Sequence, residues 1–400
     1  MDKKYWRSLN ELHSTPEFEE ILNREFSAAA SEYPEGVSRR RWMQLMAASV
    51  ALAGVSGCRW EDEKISPSVS RPEGLIPGMP QKFATFMELG GMAQALLVTS
   101  YDGRPIKVEG NPDSAQAHGA SSVFAQSETL SLYDPDRAVG VVERKAGTRY
   151  SRDWQAFVEY ADSILGPARQ DGGAKVRVLA DVSSSAARKN LQEKFSARYP
   201  KSRWYEYTAD SRDNAYQGAK LAFGDVVRPH FDLSKANIVV CLDEDLLSEH
   251  PASLLHARDW AARRDPAAGE MNRLYAVESR FTTTGLSADH RLPSRSVDIG
   301  FYLTKLEAQV QALLSGKKAE AAGDDYASKV LAAMADDLVA NKGASLIAIG
   351  TSQPAELHAR VHKLNELLGN AGKTIRYSKE PLATDVSSVE ALRTLAGEMQ

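Results

Sequence analysis

Short apolar runs alternate with amphipathic stretches through the second half of the chain. Trp154, Phe157, Val158, Ala161, Ile164 and Leu165 recur at helical spacing. Val176-Arg177-Val178-Leu179-Ala180 reads as a strand ahead of a serine-capped helix over 183–199. A strand at 204–208 precedes a helix ending near Gly224. Ile238-Val239-Val240-Cys241-Leu242 precedes a helix over 251–264, and Leu274-Tyr275-Ala276-Val277 follows. After two longer helices come Ser345-Leu346-Ile347-Ala348-Ile349, a helix over 354–368 and a last one over 386–399. Short strands that are apolar throughout, set between helices, imply a parallel sheet covered on both faces. The expected fold is therefore α/β with a doubly wound parallel sheet.

Ahead of that region the pattern is that of a small antiparallel β unit. Ala95-Leu96-Leu97-Val98-Thr99 reads as a strand, Asp102-Gly103 as a hairpin turn and Ile106-Lys107-Val108-Glu109 as the returning strand. Gly110-Asn111-Pro112-Asp113 ends it. Proline-glycine clusters at Pro72-Glu73-Gly74 and Pro77-Gly78-Met79-Pro80 open the unit, and the polar stretch 59–71 before them reads as a tether. The expected organisation is a signal region over 1–57, a lipoprotein-like tether over 58–74, a small β-rich domain over 75–150 and a Rossmann-like α/β domain over 151–400.

The tether follows an address. Ser38-Arg39-Arg40-Arg41-Trp42-Met43 precedes a mildly apolar run over 45–57, then Val55-Ser56-Gly57-Cys58. Paired arginines ahead of such a run mark a twin-arginine export signal, carried here by Ser38, Arg39, Arg40 and Trp42. The run is about 13 residues long, short of the roughly 20 a spanning helix needs, and its Ala, Ser and Gly content suits a signal core. Small residues just before Cys58 match a lipobox, in which that cysteine becomes the acylated N-terminus of the exported chain. The alternative is a basic cluster beside a buried helix. The order of charge, length, small residues and cysteine favours export to the periplasmic face of the cytoplasmic membrane.

Composition narrows the remainder. Hydrophobic content of 43% and a net charge of −4 describe a globular chain with nothing basic enough for nucleic acid. The two cysteines are Cys58 and Cys241. With Cys58 lipidated one thiol remains, so neither a disulfide framework nor a cysteine-held cluster can be built within the chain. Cys241 sits in an apolar run and reads as a core residue.

Other stretches with chemical potential read as structural. His358 and His362 have the i, i+4 spacing that can place two imidazoles on one metal, but Arg360 lies between and no glutamate base accompanies them, so a plain helix face is expected. Gly369-Asn370-Ala371-Gly372-Lys373-Thr374 lacks the leading glycine of a phosphate loop, since Leu367 stands there, and follows a helix, so a helix C-cap is expected. Asp181 with Ser183, Ser184 and Ser185 could cradle an anion at a helix start; simple N-capping is favoured. Asp243-Glu244-Asp245 at a strand end reads as a solvated rim that would oppose a pyrophosphate.

Several stretches together resemble a known superfamily, the molybdopterin oxidoreductases. They are Asp102-Gly103-Arg104-Pro105-Ile106-Lys107-Val108-Glu109-Gly110-Asn111-Pro112, Leu132-Tyr133-Asp134-Pro135-Asp136-Arg137, Met271-Asn272-Arg273-Leu274-Tyr275-Ala276-Val277-Glu278-Ser279, Thr284-Gly285 with Ala288-Asp289-His290-Arg291-Leu292, and Leu368-Gly369-Asn370-Ala371-Gly372-Lys373-Thr374. The long leader, opening Tyr5-Trp6-Arg7-Ser8-Leu9 and carrying Glu17-Phe18 and Glu25-Phe26, resembles the extended export leader of the molybdopterin-like subunit of alternative complex III. That resemblance implies a sheet of the molybdopterin-oxidoreductase type in a membrane-bound, quinol-oxidising respiratory complex. The implied partners are the membrane through lipidated Cys58, a multihaem cytochrome and quinol-binding integral membrane subunits.

Working members of the superfamily carry cluster-holding cysteines just before the Asp-Gly-Arg-Pro motif. Here Phe83-Ala84-Thr85-Phe86-Met87-Glu88-Leu89-Gly90-Gly91-Met92 has none. The expectation is a non-catalytic subunit holding no cofactor within these residues. By the same resemblance the α/β domain continues past Gln400, and iron-sulfur clusters are expected only in a further, missing C-terminal domain. The alternatives are a catalytic molybdenum bis-pterin oxidoreductase subunit, and a free-standing export lipoprotein. Thr282-Thr283-Thr284-Gly285 corresponds to a loop near the cofactor in active relatives.

Overall fold

The structure is a computed structural model. It describes residues 12–13, 15–25, 43–44, 76, 78–89, 92–267, 269–317, 323, 325–380 and 387–400. The export residues Ser38, Arg39, Arg40 and Trp42, the lipidation residue Cys58 and the 59–71 tether lie outside the described residues. The chain separates into two units, Met1–Gly74 and Leu75–Gln400. The first contains helix α1 (Pro16–Glu25), whose Glu17 and Glu19 lie in the first turn, where the helix dipole favours negative charge. No helix among the described residues is long and apolar enough to cross a membrane.

The second unit opens with β1 (Gln81–Leu89), β2 (Met92–Tyr101) and β3 (Arg104–Gly110), an antiparallel sheet in that order. Asp102 and Gly103 take φ of 48° and 84°, the doubly positive geometry of a two-residue hairpin turn. The sheet is larger than the expected hairpin. The cysteine-free stretch forms β1 and pairs with β2 from Gln81↔Ser100 to Leu89↔Met92. Phe83 and Phe86 are both exposed on it, which hides the alternation that would have marked a half-buried strand.

Helix α2 (Val123–Tyr133) packs on β3, and Ser122 caps it by accepting from the Ala125 amide. Tyr133 donates its hydroxyl to the Pro105 carbonyl at 2.5 Å, and the Arg104 guanidinium lies 4.9 Å over the Tyr133 ring. The Asp-Gly-Arg-Pro and Leu-Tyr-Asp-Pro stretches thus meet in space. A hairpin of β4 (Val141–Lys145) and β5 (Thr148–Arg152) follows.

Helix α3 (Trp154–Ala168) leads into β6 (Arg177–Ala180), α4 (Ala186–Arg198) and β7 (Arg203–Glu206). β6 and β7 pair in parallel as a two-stranded sheet of their own. Helix α5 (Asp213–Phe223) ends at Gly224, whose φ of 80° supplies a left-handed cap. β8 (Val227–Phe231) comes next.

The main sheet is built from β9 (Ile238–Leu242), β10 (Arg273–Glu278), β11 (His290–Pro293) and β12 (Ser345–Ile349), all parallel, in the order β11-β10-β9-β12. Between them run α6 (Ser253–Ala261), α7 (Thr283–Ser287), α8 (Ile299–Leu314) and α9 (Tyr326–Ala340); α10 (Ala355–Leu367), β13 (Ile375–Lys379) and α11 (Ser388–Glu398) follow. Alternate residues of β9 enter two cores. Val240 and Leu242 pack with Leu303, Leu306, Met334 and Leu364, while Val239 and Cys241 pack with Leu233, Leu246 and Ile375. Burial on both faces explains why the strand reads as an unbroken apolar run.

β13 pairs antiparallel with β8, an element pair the sequence pattern does not announce. α11 returns to β7, where Ala391 and Leu395 cover Tyr205 and Glu398 pairs with both Arg177 and Arg203.

Candidate functional site

Parallel strands end together, so their carboxyl ends form one edge where the crossover loops converge. At the end of β9, Asp243 takes a φ of 55°. Its Oδ1 accepts from the Ser279 hydroxyl at 3.2 Å; its Oδ2 accepts from the Ser296 hydroxyl at 2.5 Å and from Gln353 Nε2 at 2.9 Å. One carboxylate thereby straps the loops after β9, β10, β11 and β12. Gly350 lets that strap close, because a Cβ there would stand 1.9 Å from the Asp243 carbonyl oxygen.

Two neighbouring acids are bonded in the same way. Asp245, buried, accepts from the Thr284 hydroxyl at 2.6 Å and amide at 3.1 Å. Glu278 accepts from Arg291 Nε at 2.6 Å and from the Thr282 hydroxyl at 2.6 Å. Gly285 leaves room for it, since a Cβ there would lie 1.8 Å from Glu278 Oε1. The Thr282-Thr283-Thr284-Gly285 stretch is the first turn of α7, and its hydroxyls serve these internal bonds. The expected solvated rim is therefore a set of internal straps.

Glu244 is the exception. Burial pushes its carboxyl up to about 8; the Arg212 guanidinium works against this, and Asp245, Glu249 and Asp243 add to it. Glu244 borders both concave spaces of this region. The first is an open cleft of about 670 Å³ along the carboxyl edges of both parallel sheets. Its lining carries nine carboxylates, Glu88, Asp181 and Glu278 among them, against Arg188, Arg212 and Arg280.

Within the cleft, Glu88 of β1 reaches the start of α4. Its Oε2 accepts from the Ser183 hydroxyl at 2.6 Å, and its Oε1 accepts from the Ser184 hydroxyl at 2.8 Å and from the Ser184 amide. Burial opposes ionisation, but these bonds and the Arg188 charge bring its carboxyl below the usual glutamate value. Ser185 caps the helix by accepting from the Arg188 amide. The anion cradle and the N-cap weighed as alternatives for this stretch are thus both present, and the cradle is filled from within the chain.

The second space is a cavity of about 490 Å³ walled by β2, β8, α5, α6, α10 and the end of β12. On one side the buried Glu380 carboxylate binds Arg228 through two 2.6 Å bonds. Arg212, at the N-cap of α5, is half-buried and makes no ion pair with a described residue. The His250 and His256 rings lie 4.6 Å apart, tilted by 42°, and burial holds His256 at about 4.

His358 and His362 also belong to this wall, on the buried side of α10. Burial holds each at about 4. His362 Nδ1 meets the Tyr377 hydroxyl at 3.2 Å, whereas Nε2 of His358, 4% exposed, has no hydrogen-bond partner. Among the described residues no group of three or more His, Cys, Asp or Glu is placed to hold a metal ion.

Two other stretches behave as the sequence indicates. Gly369, with a φ of 70°, leaves α10, while buried Asn370 and Thr374 bond Ser345 and Asn365, so the loop locks α10 to β12. Cys241 is 1% exposed, and burial pushes its thiol well up. Arg212 and His250 carry no signal in the sequence, and Glu244 stands out there only as part of the acidic run 243–245. Each acquires its character from burial and from neighbours distant in the chain.

No family model and no curated protein matches the sequence. A solved structure does resemble it: acetylene hydratase from Pelobacter acetylenicus, with a TM-score of 0.52 at 11% sequence identity. The likeness covers 72% of this chain and 43% of that enzyme, so the chain spans under half the enzyme's length. At this identity the likeness concerns the fold. An N-terminal antiparallel sheet followed by a parallel one is consistent with a molybdopterin-oxidoreductase-like architecture.

Proposed function

We propose that the chain is a twin-arginine-exported subunit of a respiratory quinol-oxidising complex of the alternative complex III type, with no catalysis of its own. The observation that carries this reading is the ordered leader, Ser38-Arg39-Arg40 with Trp42, an apolar segment and Cys58, ahead of a molybdopterin-oxidoreductase-like fold with no thiolate at the cluster position. Lipid on Cys58 would hold the subunit at the periplasmic face. A single acyl chain gives only marginal binding, so further chains or partner contacts complete the anchor. The partners are a multihaem cytochrome and quinol-binding integral membrane subunits.

The donor set supports a cofactor-free role. Cluster iron needs thiolate, and β1 offers Met87 and Glu88, the latter bonded to Ser183 and Ser184. A pyrophosphate-bearing pterin would bring negative charge against eight carboxylates in the cleft besides the protonated Glu244, and the Ser184 amide just ahead of α4 already holds Glu88. The residues do not fit either group.

A second reading, catalysis, is favoured by Glu244, a carboxyl raised toward neutrality beside a cavity and so able to move protons near neutral pH. Metal and pterin analysis of the native membrane complex separates the two. Iron without molybdenum or pterin supports the non-catalytic subunit, while stoichiometric molybdenum and pterin overturns it. Cys58→Ala tests the anchor: release from membranes is expected, and full retention without acyl mass on the native protein removes the lipid claim. Purification without partners would favour a free-standing lipoprotein.

A further inference from the structure

β1 leaves one side of its backbone open. It is an edge strand of nine residues without proline, and among the described strands it pairs with β2 alone. The Ala95 carbonyl of β2 accepts from the Asn111 amide at 2.9 Å, on the β3 side. Ala95 and its β1 partner Phe86 are therefore a pair that exchanges no hydrogen bonds. By the alternation of an antiparallel ladder the same holds for Lys82, Ala84 and Glu88, whose amides and carbonyls point away from β2. All four residues are exposed, and no backbone group of β1 bonds a described residue outside β2.

An open edge is a template for another strand, and the side chains of β1 fit a second β1. Antiparallel pairing of two copies about a two-fold axis must set open residues opposite open residues. Alignments that do so centre on Ala84, Thr85 or Phe86. Of these, only the one on Thr85 sets Lys82 of each copy opposite Glu88 of the other. It also sets Phe86 beside the small Ala84, and Phe83 beside Met87, which packs against the Leu96 and Val108 cluster. The charges remain to be used. The donors bonded to Glu88, in Ser183 and Ser184, are neutral, and Lys82 lies 3.6 Å from Glu109, which Lys107 already meets at 2.8 Å.

We propose that β1 pairs with β1 of a second copy of this chain, joining two three-stranded sheets into one continuous sheet. Lys82, Ala84, Phe86 and Glu88 exchange backbone hydrogen bonds with the partner copy, and the exposed rings of Phe83 and Phe86 gain cover. A single strand pair buries less than the roughly 1,600 Å² of a standard interface, so the dimer is reversible. This inference stands apart from the export reading, and neither depends on the other.

The test uses the full chain carrying Cys58→Ser, which leaves buried Cys241 as the remaining thiol. Sedimentation should show dimers that dissociate on dilution. Thr85 opposes itself in a pair without hydrogen bonds, where Cα atoms lie about 4.5 Å apart, within disulfide reach. Thr85→Cys should therefore form an interchain disulfide under mild oxidation. Ala84→Cys and Phe86→Cys, each displaced along the ladder from its own copy, should cross-link at least about tenfold more slowly. Lys82→Glu sets like charges opposite each other and should weaken association about tenfold. Ala84→Pro removes an open amide and spares the β1–β2 bonds, so it should give a folded monomer. If that variant misfolds, the cross-linking series decides. A monomer at every concentration, cross-linking at 84 or 86 in preference to 85, or association unchanged by Lys82→Glu overturns the proposal.

Discussion

Glu88 and Ser184, far apart in sequence, are bonded through both the amide and the hydroxyl of the serine, the hydroxyl at 2.8 Å. This joins the three-stranded sheet to the segment just ahead of α4. Glu88→Gln should cost up to about 1 kcal/mol, because the group is exposed and its amide replacement keeps only part of the bonding. The sharper readout is local, with faster amide exchange at Ser184 than in the parent. Since the folded-state value of Glu88 lies below its ordinary 4.5, the latch is complete above 4.5 and lost as pH falls through the lower value. An unchanged exchange rate in the variant would deny the latch.

Glu244 should make stability fall as pH rises. Its folded value of about 8 exceeds the ordinary 4.5, so the folded chain holds a proton that the unfolded chain releases between those limits. The destabilisation is absent below 4.5, grows through the interval and is complete above 8. Glu244→Gln should therefore raise the melting temperature at pH 9 and leave it unchanged at pH 4, with a gain of a few kcal/mol at most, at about 1.4 per unit. A pH-independent difference between the two proteins would count against the buried carboxyl.

The cavity histidines work from the acid side. His256, His358 and His362 lie at about 4 in the folded chain, against an ordinary 6.5. The unfolded chain then binds more protons between 6.5 and 4, so stability is full above 6.5 and declines as pH falls across that window. His362→Phe should flatten the decline measured by urea unfolding at several pH values. If the slope is the same as in the parent, His362 is not buried in its neutral form.

Gly350→Ala should be among the most damaging single changes at the sheet edge. The added Cβ would lie 1.9 Å from the Asp243 carbonyl, and backbone cannot yield as a flexible side chain can. A loss of about 3 kcal/mol or more is expected in denaturant unfolding. Asp243→Asn should be milder, because asparagine tolerates positive φ and can still accept from Ser279.

Native Cys241 should resist thiol reagents until the chain unfolds. It is buried between β9 and the Leu233–Leu246 core, with its thiol well above the ordinary value. Modification at the same rate with and without denaturant would contradict that placement.

The main sheet was legible because Ile238–Leu242 and Ser345–Ile349 are apolar on both faces, and a strand buried on both sides needs no alternation to be recognised. Gly224 likewise marked a helix end by local conformational need. β1, β8 and β13 were not legible. Phe83 and Phe86 are exposed, Pro229 interrupts β8, and Arg376, Ser378 and Lys379 make β13 polar, so pairing between strands distant in sequence overrides their local pattern. The candidate site was harder still. The acids at 243–245 drew notice as a charged run, but which of them are bonded depends on Ser296, Gln353 and Thr284, and no local rule connects those positions.

The strand order carries a consequence for how the chain reaches this state. β9 lies between β10, a near neighbour in sequence, and β12, about a hundred residues later, and such distant pairings form slowly. Until Ser345–Ile349 docks, Ile238-Val239-Val240-Cys241-Leu242 presents a bare, uncharged edge able to pair with another copy of itself. During synthesis the chain must protect that edge while the intervening helices are made, and versions cut before Ser345 should collect as aggregates, not as a smaller folded domain.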